Sequence, residues 1–298
     1  MNNNVRYLAR YNLKGLDQPE VKLQNLVDEN LYVTPDEFQI TGSGFYPLAT
    51  GESLITSGNL SMFNYRFSER VVPASMVNAH VAARVEEMAS EGTAIGKHDK
   101  AQLQAEIKQT LCLSTPPTSY TVTGLIIHDR EELWLLCQNV GQSDRIAKRL
   151  VAAFFDTPLT LVTAHQEMSN QEISAFFLEA SDPTGLHIGN KVVVSASNGR
   201  GRIPIMHEDA IPFSECVKIV TGTGDLLEFN ALYDDKISLT INRKGEFKNV
   251  TPLQGLTEQW YESGDPESYE DVGLIGLKLW VESICNISNI LRAVEPVL

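Results

Sequence analysis

Cysteine is scarce in this 298-residue chain, and its four copies, Cys112, Cys137, Cys216 and Cys285, lie far apart with no Cys-x-x-Cys pair. That spacing argues against a zinc framework and offers no disulfide scaffold. Cys137 and Cys285 fall in apolar runs and read as buried thiols, which fits a reducing cytoplasm. Long hydrophobic runs are absent too. The best candidate, VGLIGLKLWV over 272–281, is interrupted by Lys278 and falls short of the roughly 18 apolar residues of a membrane span. No membrane partner is therefore expected. The amino-terminal MNNNVRYLARYNL lacks a basic-then-apolar secretion pattern, so no export is expected, and the Asn-x-Ser/Thr matches at Asn59, Asn249 and Asn286 carry no consequence.

Basic charge is the other shortage. Lys and Arg number 24 against 38 Asp and Glu, a formal net charge of −14. Such a balance excludes a simple basic nucleic-acid binder. The deficit is uneven: residues 206–298 hold 16 acids and 7 bases, whereas 70–150 hold 9 of each. Any polyanion site must then be local, a few bases on an acidic body.

What is present alternates between sheet and helix signals. VRYLARYNL (5–13) reads as a strand and PEVKLQNLVDENL (19–31) as a helix opened by proline. The stretch 34–52, with its glycines and prolines, reads as loop. Strands follow near 53–57 and 59–67, joined by a turn at Ser57-Gly58-Asn59. After Pro73, Val77, Val81, Val85 and Met88 form one helical stripe, ended by Gly92. A second helix runs from Asp99 or Lys100 to Leu111, so the pair reads as a helical hairpin. Two strands (TVTGLIIHD and ELWLLCQN) and a helix (QSDRIAKRLVAAFF) come next, the helix entered through Ser143 as N-cap. PLTLVTA reads as a strand and SNQEISAFFLEA as a helix. Further strands are predicted near 186–195, 216–221, 226–232, 236–242 and 246–250, and a final amphipathic helix over 269–292. The mixture indicates an α+β fold.

Few motifs carry chemistry. EGTAIGKHDK resembles a damaged phosphate loop, but only three residues separate Gly92 from Gly96, His98 replaces the hydroxyl that would bind magnesium, and a helix precedes it. DDKISLTINRKGEFK (234–248) imitates a nuclease site. If Asn242–Gly245 is the hairpin turn, Glu246 lies opposite Ile241, and Asp235 is on the order of 20 Å away, too far to share one metal. No Gly-x-Ser-x-Gly elbow exists. What remains is a set of bases in exposed settings: Lys97, His98 and Lys100 in the hairpin turn, and Arg200 and Arg202 in the Gly-rich SNGRGRIP, read as a turn.

The order of these pieces resembles the recombination-associated protein RdgC family over nearly the full length. The residues that carry the resemblance are VRYLARYNL, GFYPL (44–48), FSERVVPASMVNAHVAARVEEM, GKHDKAQLQAEIKQTL, ELWLLCQNVGQSDRIAKRL and ALYDDKISLTINRKGEFKNV. The resemblance implies a horseshoe-shaped α+β monomer. Its parts would be a central domain (1–70 and 119–168), a helical finger or tip (71–118) and an α+β base (169–298). Two monomers would close into a ring dimer with a positively lined hole. It further implies binding of single- and double-stranded DNA without sequence preference, no catalysis and no cofactor. The role implied is to limit RecA access to DNA during homologous recombination, in the cytoplasm at the nucleoid. DNA would meet Lys97, His98 and Lys100 in the finger and Lys191, Arg200 and Arg202 in the base, and Tyr120 would take part in the tip contact between subunits. The basic sites of the family are thinned here: Met206-His207 stands where a basic pair is usual, and Gly224-Asp225 where Gly-Lys is usual. Two other readings remain open: an interaction module of the same fold that has lost DNA binding, and a metal-dependent nuclease.

Overall fold

The computed structural model describes residues 5–13, 19–92, 96–154, 160–161, 185–195, 201–208, 211, 225–263 and 269–293. The first half holds β1 (Val5–Asn12), α1 (Pro19–Glu29), β2 (Thr41–Tyr46), β3 (Leu54–Ser57), β4 (Leu60–Glu69), α2 (Ala74–Ser90), α3 (Lys97–Ser114) and β5 (Thr118–Ile127). Then come β6 (Glu132–Cys137), α4 (Val140–Phe154), β7 (Thr160–Leu161), β8 (Leu186–Ser195), β9 (Arg202–Met206) and β10 (Leu226–Tyr233). The chain continues with β11 (Ile237–Asn242), β12 (Phe247–Pro252), α5 (Gln254–Ser263) and α6 (Tyr269–Ala293). The chain divides into two compact units, residues 1–17, 56–61 and 125–298 in the first, and 18–55 and 62–124 in the second. No helix among the described residues is long and apolar enough to cross a membrane.

The first unit is built on a large antiparallel sheet in the order β6-β1-β12-β11-β10-β8-β9. Strand β1 is central, so burial overrides the alternation its sequence shows: Arg6 is exposed while Arg10 is buried. Period-two geometry sends Tyr7 and Tyr11 toward α4 and Arg10 toward α6. Accordingly Arg10 donates to Ser288 Oγ at 2.7 Å, while the buried Tyr11 hydroxyl meets no hydrogen-bond partner among the described residues. Helix α6 covers its face with Leu277, Trp280, Val281, Ile284, Ile287 and Leu291, spaced three and four apart. At the heart of this packing Arg10 pairs with Glu132 at 2.7 Å, both nearly sealed from water. The indole Nε1–H of Trp134 donates to the same carboxylate at 2.8 Å, and the guanidinium lies 5.2 Å from the Trp134 ring centroid. A buried ion pair holds only when its remaining hydrogen-bonding capacity is met, and here ring, hydroxyl and carboxylate meet it.

The second unit carries β2, β4 and β5 side by side, with β3 beside β4. The expected turn between β3 and β4 is there, with Gly58 at φ 64°. Phe45, Phe63, Tyr65 and Phe67 form the apolar side, with Phe45 edge-on to Phe63 at 5.2 Å and to Tyr65 at 5.5 Å. The predicted helical hairpin is α2 and α3. Its core is small: Val72, Val77, Val81 and Cys112, with Val85, Ile107 and Leu111 packed on them.

Several expectations are corrected. The stretch 34–52, read as loop, contains β2, which pairs with β4 from Thr41↔Glu69 to Tyr46↔Asn64. Its two glycines hid it, because glycine is depleted in strands. Ser143 is not the cap of α4, which begins three residues earlier. Asn139 Oδ1 accepts the Gln142 N–H at 3.0 Å, and the buried Ser143 Oγ donates to Val140 O at 2.8 Å. Asparagine caps as well as serine. Helix α3 starts at Lys97 rather than Asp99 or Lys100, because Asp99 caps it from its own first turn. SNGRGRIP is not all turn: Arg202 opens β9, whose ladder with β8 outweighs its glycines. Helix α5 had no counterpart in the sequence reading. The predicted strand at 216–221, the helix SNQEISAFFLEA and most of PLTLVTA lie outside the described residues.

Candidate functional site

The far end of the helical hairpin is where the bases of the sequence reading meet. Helix α2 stops at Gly92, φ 81°, whose N–H donates to Ala89 O at 3.1 Å. Helix α3 opens at Gly96, whose N–H donates to Asp99 Oδ2 at 3.2 Å. Lys97, His98 and Lys100 therefore occupy the first turn of α3, and all three are exposed. No ion pair engages any of them among the described residues. Their charge adds to the positive end of the helix dipole, which Asp99 offsets in part. Beyond the small core and the residues packed on it, Met88 and Leu103 alone are half-buried among the described residues of this end, which presents most of its other described side chains to solvent.

The remaining predicted residues are placed less favourably. Lys191 is half-buried on β8, opposite Met206 of β9. Arg202 lies opposite Ser195, four residues along β8, and pairs with Glu228 at 2.6 Å. Its charge is thus already met by an acid that is mostly buried. Arg200 lies outside the described residues. Tyr120 sits on β5 with its ring 5.5 Å from that of Phe67 and tilted by 35°. The first group belongs to the second unit, and Lys191 and Arg202 belong to the first.

The nuclease-like stretch is spread along a hairpin. Asp235 belongs to the turn before β11, at φ 51°, and Glu246 to the turn after it. Ile241 pairs with Phe247, so Glu246 faces Asn242, one residue further than the sequence reading placed it. Asn242 is part of the ladder, and only Arg243–Gly245 form the loop. Glu246 instead accepts from Asn242 Nδ2 at 2.6 Å and Tyr7 OH at 3.4 Å. No cluster of three or more potential metal ligands occurs among the described residues. A cavity of about 530 Å³ in the first unit, beside α6, is lined by Arg130, Lys278, Asp129 and Glu282 with Cys285 and Asn289, so its charges balance.

One constellation escaped the sequence reading. Arg66 on β4 lies 4.5 Å from the Tyr46 ring centroid and 5.3 Å from that of Tyr32, whose rings stand edge to face at 6.0 Å. Among the described residues its buried Nε has no hydrogen-bond partner and no acid pairs with it. Tyr32 arrives because Gly44, directly across from Arg66, has no side chain: a Cβ there would stand 2.6 Å from the Tyr32 backbone. Instead Tyr32 N–H donates to Phe45 O at 2.7 Å. The Tyr32 hydroxyl shares a hydrogen bond with Ser68 Oγ at 2.6 Å, and Ser68 shares another with Ser119 at 2.6 Å. Burial pushes the Tyr32 phenol up, but the hydroxyls of Ser68, Ser119 and Thr34 and the Arg66 charge outweigh it, and the net shift is downward. The local signal was the pattern Asn64-x-Arg66-x-Ser68 between Phe63, Tyr65 and Phe67; the absence of an acid beside Arg66 depends on tertiary contacts and leaves no local trace.

Known proteins supply the context. The family model described as "Putative exonuclease, RdgC" matches residues 8–279. The recombination-associated protein RdgC of Dechloromonas aromatica (strain RCB) is 25% identical over 229 residues, covering 74% of this chain and 73% of that protein. The chain belongs to the RdgC family.

Proposed function

We propose that this chain binds single- and double-stranded DNA without sequence preference. In this reading the α2–α3 hairpin is a finger (71–118) inserted in a central domain (1–70 and 119–168), and residues 169–298 form a base. Two copies close into a ring around DNA at the nucleoid and limit RecA access during recombination. The observation that carries the reading is the cluster of Lys97, His98 and Lys100, exposed and without an acid partner among the described residues, at the end of a two-helix projection. In a chain of net charge −14 such a cluster stands out. The acidic body repels a polyanion, and attraction is confined to the few bases that meet it. Encirclement compensates for scarce contacts, because release then requires the ring to open. Lys191 and Arg200 extend this set in the base. Arg202 is the weaker member, since Glu228 already neutralises it. Tyr120 is the proposed aromatic of the tip contact.

The test is fluorescence anisotropy with single- and double-stranded oligonucleotides at about 50 and about 200 mM salt, on protein whose dimer mass has been checked. Phosphate contacts lower log K linearly with log salt, so a steep dependence is expected. Lys97→Glu with Lys100→Glu weakens binding to every sequence alike and reduces the slope by roughly two. Absence of binding at low salt overturns the reading in favour of an interaction module of the same fold, which the Arg202–Glu228 pair also favours. The nuclease reading is tested by magnesium-dependent digestion of DNA that Asp235→Ala abolishes; Asp235 and Glu246 sit at opposite ends of β11, which does not favour it.

A further inference from the structure

Arg66 poses a physical question that the finger does not answer. Part-burying a guanidinium without an acid is costly unless something compensates. Two tyrosine rings compensate in part, through cation–π attraction. The arrangement is held from several sides: Gly44 admits the Tyr32 backbone, and Ser68 and Ser119 fix the Tyr32 hydroxyl. A cation fixed in this way and left without an acid is organised to receive an anion from outside the chain.

The surrounding face shows which anion. Residues opposite one another in a ladder share a face. The registers Gly42↔Ser68, Gly44↔Arg66 and Tyr46↔Asn64 set β2 against β4. The hydrogen bonds Ser68–Ser119 and Thr123–Asn64, the latter at 3.0 Å, set β5 against β4. On the face so defined Gly42 and Gly44 lie under Pro35 and the Tyr32 backbone and Ser68 is buried, which leaves open Tyr46, Asn64 and Arg66, then Ser119, Thr121 and Thr123, with no carboxylate. Ser119 and Thr121 are exposed. Hydroxyls, amides and one guanidinium are the groups that hold phosphodiester oxygens, and tyrosine rings are the groups on which unpaired bases stack.

We propose that Arg66, held by Tyr32 and Tyr46, is a phosphate contact for single-stranded DNA, and that the open part of this polar face, from Tyr46 across Arg66 to Thr121, is a strand-binding surface separate from the finger turn. The proposal rests on the DNA-binding reading above. A single strand suits the site better than a duplex, because its unpaired bases can stack on tyrosine rings beside the guanidinium, whereas the bases of a duplex are already stacked on one another.

The probe is fluorescein-labelled oligo-dT of about 20 nucleotides, longer than the usual single-strand site, titrated by anisotropy over a salt series with the full-length chain. Arg66→Gln is expected to weaken binding several-fold and to reduce the salt slope by about 0.7, the single-strand value for one phosphate contact. Arg66→Lys is expected to restore the slope but not the affinity, since an ammonium keeps the charge and loses the planar stacking. A duplex of the same length should respond less than oligo-dT. If the unmodified chain binds oligo-dT and Arg66→Gln leaves both affinity and slope unchanged, the inference falls and the DNA reading stands. If the unmodified chain binds no DNA at low salt, both fall. Should Arg66→Gln fail to melt cooperatively, Tyr46→Leu replaces it, and unchanged affinity in that variant overturns the inference.

Discussion

Each unit of this protein places one arginine against aromatic rings, and the two are treated in opposite ways. Arg10, in the first unit, is buried beneath α6 against Trp134, and Glu132, Ser288 and the Trp134 indole complete its network. Arg66, in the second, is half-buried against Tyr32 and Tyr46, with no acid partner among the described residues and an Nε that meets no acceptor there. The first arrangement is closed, because every strong polar group is answered within the chain. The second is open toward a partner that carries negative charge. Aromatic stacking alone does not distinguish a structural arginine from a binding one. The carboxylate does.

The comparison can be broken most forcefully at Glu132. Glu132→Gln leaves the Arg10 charge buried and unpaired, and is expected to destabilise the fold by about 3–5 kcal/mol in urea unfolding near neutral pH. Replacing both partners together, Arg10→Met with Glu132→Leu, should lose far less, because no stranded charge remains. A double variant as unstable as Glu132→Gln would contradict the closed-network account. The helical hairpin gives the next largest effect. Its core is so small that Val81→Ala should cost about 1–3 kcal/mol, read as a lower melting temperature. Arg66→Leu is smaller still: it breaks no hydrogen bond or ion pair, so its unfolding free energy should stay within about 1 kcal/mol of the parent. A large loss there would mean that Arg66 is structural after all.

The same contrast explains what the sequence could reveal. Periodicity located the stripes of α2 and α6, which bury one face each, and short apolar runs located the strands β8, β10, β11 and β12. Turn chemistry located Gly58-Asn59. The separation of Asp235 from Glu246 was also legible; the error was one residue of register, because Asn242 joins the ladder rather than the loop. Strand β2 was not legible. Gly42 and Gly44 weaken its signature, yet they are there because Pro35 and the Tyr32 backbone pack against them. The finger bases Lys97, His98 and Lys100 could be read locally, since their exposure follows from their place in a turn. Arg66 and Arg202 could not. Whether an arginine on a strand has an acid beside it depends on residues far away in the chain, and Glu228 answers one of them while no described residue answers the other.

The smallest effect follows from pH, and the two units should respond with opposite sign. Burial pushes the Tyr11 phenol and the Cys137 thiol in the first unit up to about 12 each, from 10.0 and 9.0. A group whose folded pKa is raised contributes stability that is complete below its unfolded pKa and is lost as pH rises through the folded one. These two groups therefore weaken the fold from about pH 9 toward about pH 12. In the second unit the Tyr32 phenol is shifted downward. A depressed pKa contributes stability above the unfolded value and loses it as pH falls, so Tyr32 acts against the alkaline loss. Urea midpoints for the parent, Tyr11→Phe and Tyr32→Phe, taken near pH 8 and again about two units higher, separate the two contributions. Tyr32→Phe also removes a hydrogen bond at both pH values, so only the change between them is diagnostic. Tyr11→Phe should show a shallower alkaline decline than the parent, and Tyr32→Phe a steeper one. Parallel declines in all three would mean that neither phenol differs in pKa between the folded and unfolded chain. The hydroxyl network that steadies Tyr32 beside Arg66 would then be looser than the distances of 2.6 Å indicate.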